Sequence, residues 1–125
     1  MPPPPYDFDE RAFVFLCDVM AFVRTIQPEA GVRRLVDQLV AATGSIAANR
    51  QEAIGASSLR EFIRFNEIAL RSANEAALWL RAFDALNIGD RARAPVLLGE
   101  ARQLARILGA IVVRAKGSAP AKSSI

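Results

Sequence analysis

Along Ser58–Leu86 apolar residues recur at two helical spacings at once. At 100° per residue, Leu59, Phe62, Ile63, Asn66, Ala69, Leu70, Ala73, Ala77 and Leu80 fall in one stripe. Phe65, Ile68, Ser72, Ala76, Trp79, Phe83 and Leu86 fall in a second, about 120° away. A surface helix of a small monomer needs one such stripe. The pattern predicts a helix over 58–86 with two packing partners: its own core and a second surface, most simply another subunit.

Three further helices are read the same way. Over 8–26, Phe13, Leu16, Cys17 and Met20 form one stripe, and Phe8, Ala12, Phe15, Val19, Phe22 and Ile26 an adjoining one. That arc is again too wide for a monomer. Phe15, Val19 and Phe22 are therefore assigned, with Phe65, Ile68, Trp79 and Phe83, to a subunit interface. Cys17 is expected to be buried and inert. Over 29–54, Val32, Leu35, Val36, Leu39, Thr43, Ile46, Ala53 and Ile54 share a face. Arg50 falls inside that stripe and must either snorkel outward or pair with a carboxylate. Gly44 interrupts good helix formers, which suggests a bend or a close contact there. Over 95–116, Leu97, Ala101, Leu104, Leu108, Ile111, Val112 and Ala115 face inward.

The punctuation agrees. Asp7 or Asp9 can cap the first helix, and Gln27–Pro28 breaks it. Gly55 suits the end of the second helix, and Ser58 with Glu61 forms an S-x-x-E capping box for the third. Pro95 suits the first position of the fourth. Residues 1–6 are Pro-rich, and residues 117–125 read as a tail; both are expected to be disordered. The fold expected for 7–116 is all-α, an antiparallel up-down-up-down four-helix bundle.

Composition sharpens the assembly reading. The chain has 125 residues, 52% hydrophobic and 23% charged, with a mean hydropathy of +0.19. That is apolar for a domain of this size, and association would cover the excess. No run is long enough to span a bilayer and the opening residues are no secretory signal, so a cytoplasmic protein is expected.

The inventory of reactive groups points away from catalysis. There is no histidine and one cysteine, which removes the commonest general base and any cysteine- or histidine-built metal centre. The glycines are scattered singly, with no phosphate-binding loop. No enzyme activity, cofactor or metal is expected. Ser45, Asn49, Glu52 and Asn66 lie on or beside inner stripes and read as a buried polar network that fixes helix register.

Net charge is +3, and fourteen of the sixteen basic residues are arginine. Arg60, Arg64 and Arg71 share the polar face of the third helix, while Arg102 and Arg106 are i,i+4 neighbours on the fourth. Guanidinium groups fork onto phosphate, so these five are the candidates for contact with nucleic acid. Glu67 and Glu75 lie among the first three and could neutralise them by ordinary helix-surface pairing. The aromatics sit apart from the arginines, which favours subunit packing over base stacking.

Two segments carry a resemblance. Ser45, Ile46, Ala48, Asn49 and Glu52 match a Ser-Ile-x-Ala-Asn-x-x-Glu pattern. Glu61–Phe62–Ile63, Ile68–Ala69–Leu70 and Trp79–Leu80–Arg81 match the corresponding third-helix pattern. With the LARILGAIVVRAK ending, the chain resembles, from Asp7 to Lys116, the bacterial four-helix-bundle proteins first met as reading frames in intervening sequences of 23S ribosomal RNA genes. It departs at Arg50, where that family often has tyrosine or isoleucine. The resemblance implies a homopentameric ring. It also implies kinship with the accessory variability determinant of diversity-generating retroelements, which binds a reverse transcriptase and its template RNA. The functional expectation is a non-enzymatic oligomeric binding protein that presents arginines to RNA or to an RNA–protein partner. A scaffold that binds only protein is the alternative.

Overall fold

The computed structural model describes residues 7–118. Four helices account for most of them: α1 (Phe8–Val23), α2 (Val32–Ile54), α3 (Leu59–Ala85) and α4 (Arg93–Gly117). No strand occurs among the described residues. α1 packs on α2 and α4, α3 packs on the same two helices far more extensively, and the diagonal pairs do not meet as helices. Arg50, near the end of α2, bonds Asp9 at the start of α1 and Asn66 in the first third of α3. Neighbouring helices therefore run antiparallel, as short connections over 24–31, 55–58 and 86–92 require.

The core explains the two stripes of α3. From one stripe Asn66, Ala69, Ala73 and Leu80 are buried, and from the other Ser72, Ala76 and Phe83. The buried members of both are covered by the chain's own helices, because a bundle helix has two neighbours, here α2 and α4, while Phe65, Ile68 and Trp79 stay half-buried and Leu86 exposed. The inference that a second stripe needs a second subunit is therefore corrected. In α1 the inner face is Phe8, Ala12, Phe15, Val19 and Phe22. Phe15, Val19, Phe22 and Phe83 are 1%, 0%, 0% and 0% exposed, so these four belong to the core of one chain and not to a subunit contact. On the other α1 stripe Leu16 and Met20 are half-buried and Phe13 is exposed, and Cys17, expected to be buried, is exposed as well. The rings of Phe8, Phe15 and Phe22 fill the interior better than Cys17 and Met20 could.

Helix ends follow local chemistry. The Ser58 hydroxyl accepts from the Glu61 N–H at 3.1 Å, and the Glu61 carboxylate reaches back to the Ser57 N–H and hydroxyl, each at 3.2 Å. α1 stops at Val23 rather than 26, where the Thr25 hydroxyl donates to the Phe22 carbonyl. α2 begins only after Gly31, whose φ of +84° is left-handed. α3 ends in a Schellman turn: Asn87 has φ +55°, the Asn87 N–H reaches the Asp84 carbonyl, and the Ile88 N–H reaches the Phe83 carbonyl. The Asp90 carboxylate then accepts from the Ala92 N–H at 2.9 Å, while its carbonyl accepts from Arg93 and Ala94. Asp90 thus opens α4, and Pro95 sits deeper in the first turn, where a missing N–H still costs nothing.

The close backbone approach expected near Gly44 occurs instead at Gly89. A Cβ on Gly44 would meet nothing within 4 Å, whereas one on Gly89 would lie 2.8 Å from the Phe22 ring. α4 runs through Gly117, one residue beyond the expected boundary. The expectations for residues 1–6 and 119–125 lie outside the described residues.

Candidate functional site

Arg60, Arg64 and Arg71 lie along the outward face of α3, and all three are exposed. Arg81 extends the row and is also exposed; in projection it leans toward α4. Arg102 and Arg106 occupy the outward face of α4 and are exposed. A 2.8 Å ion pair between Lys116 of α4 and Glu67 of α3 ties the two helices together on this side. The structure therefore brings the five expected arginines onto two adjoining helices and adds Arg81. The periodicity does not group Arg81 with Arg64 and Arg71: it falls about 80° round the helix from Arg71, and only the position of α4 brings it beside the row.

The acids near these arginines are engaged elsewhere. Glu67 pairs with Lys116, and Glu75 accepts a hydrogen bond from the Trp79 indole N–H at 3.3 Å. Among the described residues, ion pairs form at Arg11–Glu100, Arg50–Asp9 and Lys116–Glu67, and none of the six arginines takes part. Six guanidinium groups thus face solvent without a carboxylate partner, an arrangement able to engage phosphate oxygens.

The polar cluster is a structural device. Ser72 donates to the Ser45 hydroxyl at 2.7 Å, joining α3 to α2. Asn49 donates to the Ser45 carbonyl and hydroxyl at 2.9 and 3.0 Å. Asn66 is wholly buried; its amide donates to the Phe62 carbonyl at 2.8 Å and its oxygen accepts from Arg50 at 2.7 Å. Arg50 also contacts both Asp9 oxygens, at 2.8 and 3.5 Å, and its guanidinium carbon stands 5.4 Å from the centre of the Phe8 ring. Of the two fates open to Arg50, it takes the carboxylate. Glu52 does not join: it is exposed, because it lies on the solvent side of α2 with Ala48. Every buried polar side-chain atom among the described residues is bonded, so the cluster offers no unpaired group for chemistry.

Phe65, Ile68 and Trp79 are half-buried, along the side of α3 turned toward α2. An apolar groove opens between the start of α3 and the end of α4, lined by Leu59, Phe62, Ile107, Ala110 and Ile111. Among the described residues no cluster of three or more His, Cys, Asp or Glu side chains could hold a metal, and no helix is long and apolar enough to cross a membrane.

The fold and surface define an all-helical four-helix bundle with an arginine-bearing face. The sequence model of the 23S rRNA-intervening sequence proteins matches residues 6–110, and the chain belongs to that family. Its fold is similar to the crystal structure of a protein of unknown function from the S23 ribosomal protein family of Bacteroides thetaiotaomicron. The two share 23% identity and superpose with a TM-score of 0.76 over 84% of this chain and 97% of the other. No curated protein is similar enough in sequence to count as a relative.

Proposed function

We propose that this chain is a non-enzymatic, self-associating binding protein whose α3/α4 arginine face takes the phosphate backbone of RNA, either bare or held in an RNA–protein partner such as a reverse transcriptase complex. The observation that carries the reading is the diversion of Glu67 and Glu75 to Lys116 and Trp79. It leaves the α3 arginines without a carboxylate in ion-pair contact. The closed ring of five copies that the family resemblance implied belongs to the same proposal, with half-buried Phe65, Ile68 and Trp79 on one side of its contact. A ring would repeat the arginine face and turn a modest charge per chain into a strong field. The reading places the protein in the cytoplasm.

The test is binding of the purified chain to structured RNA across a salt series. Phosphate contacts release counterions, so affinity must fall steeply as salt rises. Absence of binding at low salt overturns the RNA reading. The apolar groove at Leu59, Phe62 and Ile107 favours a second reading, a scaffold that binds protein only. Co-purification of a protein partner without nucleic-acid absorbance would select it.

A further inference from the structure

The outward stripe of α1 carries no charge between Glu10 and Arg24. Phe13 and Val14 are 54% and 45% exposed, and Cys17 and Ala21 are exposed with them. Glu10 lies at one end of this stripe and Arg24, the C-cap residue, at the other. Both are exposed, and neither takes part in an ion pair among the described residues.

The positions of the stripe are symmetric about residue 17. Position 17 is midway between 10 and 24, between 13 and 21, and between 14 and 20. Laid antiparallel on a second copy of itself, α1 would set Glu10 against Arg24 twice, about 21 Å apart along the axis. Phe13 would meet Ala21, and Val14 would meet Met20. Large residues would then oppose smaller or flexible ones, as close helix packing needs. A parallel pairing would set like charges together at both ends. Pairing an apolar patch with itself is the isologous arrangement that closes a two-fold assembly.

We propose that α1 packs against α1 of a second copy about a two-fold axis passing beside Cys17. The contact is separate from the ring put forward above, which a two-fold pairing cannot close at five copies; it would join a copy in one ring to a copy in another, and it rests neither on the RNA reading nor on the number of copies in a ring. α1 lies diagonally across the bundle from α3, so the contact leaves the arginine row of α3 uncovered. A contact built mainly on one 16-residue helix is small for a specific interface, so association is expected at roughly micromolar concentrations.

Cys17 is the chain's one cysteine, which makes it a reporter of the axis. Mild oxidation with copper phenanthroline of the full chain should give a covalent dimer as the main product, lost in Cys17→Ser. The second measurement is dissociation followed by sedimentation. Glu10→Arg and Arg24→Glu should each weaken association about tenfold or more, because each reversal creates two like-charge contacts. The double variant Glu10→Arg/Arg24→Glu should return to within about threefold of the wild type, since the swap restores both pairs. Circular dichroism of each variant checks that these exposed substitutions leave the bundle folded. A wild type that stays monomeric overturns the self-association reading and this contact together. A wild type that associates without a Cys17 cross-link, or whose double variant is no better than the singles, overturns this contact alone.

Discussion

Arg50 holds Asp9 through a fork of two contacts, at 2.8 and 3.5 Å, and so fastens the first turn of α1 to the last turns of α2. The same guanidinium supplies the partner of the buried Asn66 oxygen. α1 has 16 residues against 23, 27 and 25 for the others, and this clamp stands where its short packing surface begins. Replacing Arg50 by Ile should destabilise the chain by about 1–3 kcal/mol, because the Asn66 oxygen is left buried and unpaired. Pairing Arg50→Ile with Asn66→Leu should recover much of that loss. Urea unfolding of the four members of the cycle measures it, and a cycle with no coupling would show that Asn66 does not depend on Arg50.

Gly89 and Phe22 exclude any side chain between them. With φ at +80° and ring atoms 2.8 and 2.9 Å from the place of a Cβ, Gly89→Ala carries both backbone strain and overlap. A loss of about 2–4 kcal/mol is expected. The Asp90 N–H donates to the Thr25 hydroxyl at 3.1 Å beside it, so the α3–α4 turn and the end of α1 should loosen together. Faster amide exchange at Asp90 than in the centre of α3 would report this.

Trp79 and Phe83 neighbour one another on α3 but play different parts. Phe83 is wholly buried and meets Phe22 edge-on, ring centres 6.0 Å apart. Phe83→Asp should therefore unfold the chain. Trp79 is half-buried, so Trp79→Asp should stay helical while lowering the sedimentation coefficient, if the ring contact lies there. Unchanged sedimentation with intact helicity would place that contact elsewhere.

The arginine face predicts a graded response. Arg71→Glu with Arg102→Glu should weaken RNA binding at every sequence tested and reduce the steepness of its salt dependence. Arg33→Glu, on the far side of the bundle at the start of α2, should leave both nearly unchanged. Equal losses from the two variants would argue for net charge in place of a defined face.

Helix number, order and most boundaries were legible in the sequence, because a 3.6-residue period, a capping box and isolated glycines act within a few residues of themselves. The arginine row was legible for the same reason: i,i+4 spacing places side chains on one face without reference to any other helix. The period could not tell which of two apolar stripes turns inward. In α1 both are apolar, and only the volume of the space between α2 and α4 selects Phe15, Val19 and Phe22 over Phe13, Val14 and Cys17. Nor could it tell that Ser72, Ala76 and Phe83 of the second stripe of α3 are covered within the chain, since that depends on how deeply α3 sits between its two neighbours.

The partner of Arg50 and the clash beyond Gly89 were also beyond local reading. Asp9 lies 41 residues from Arg50, and Phe22 approaches Gly89 across the end of the bundle. The sequence by itself determined four amphipathic helices and their charged faces, through interactions between residues a turn apart. The tertiary structure alone decided which faces meet, because that choice compares volumes and hydrogen-bond partners contributed by different helices.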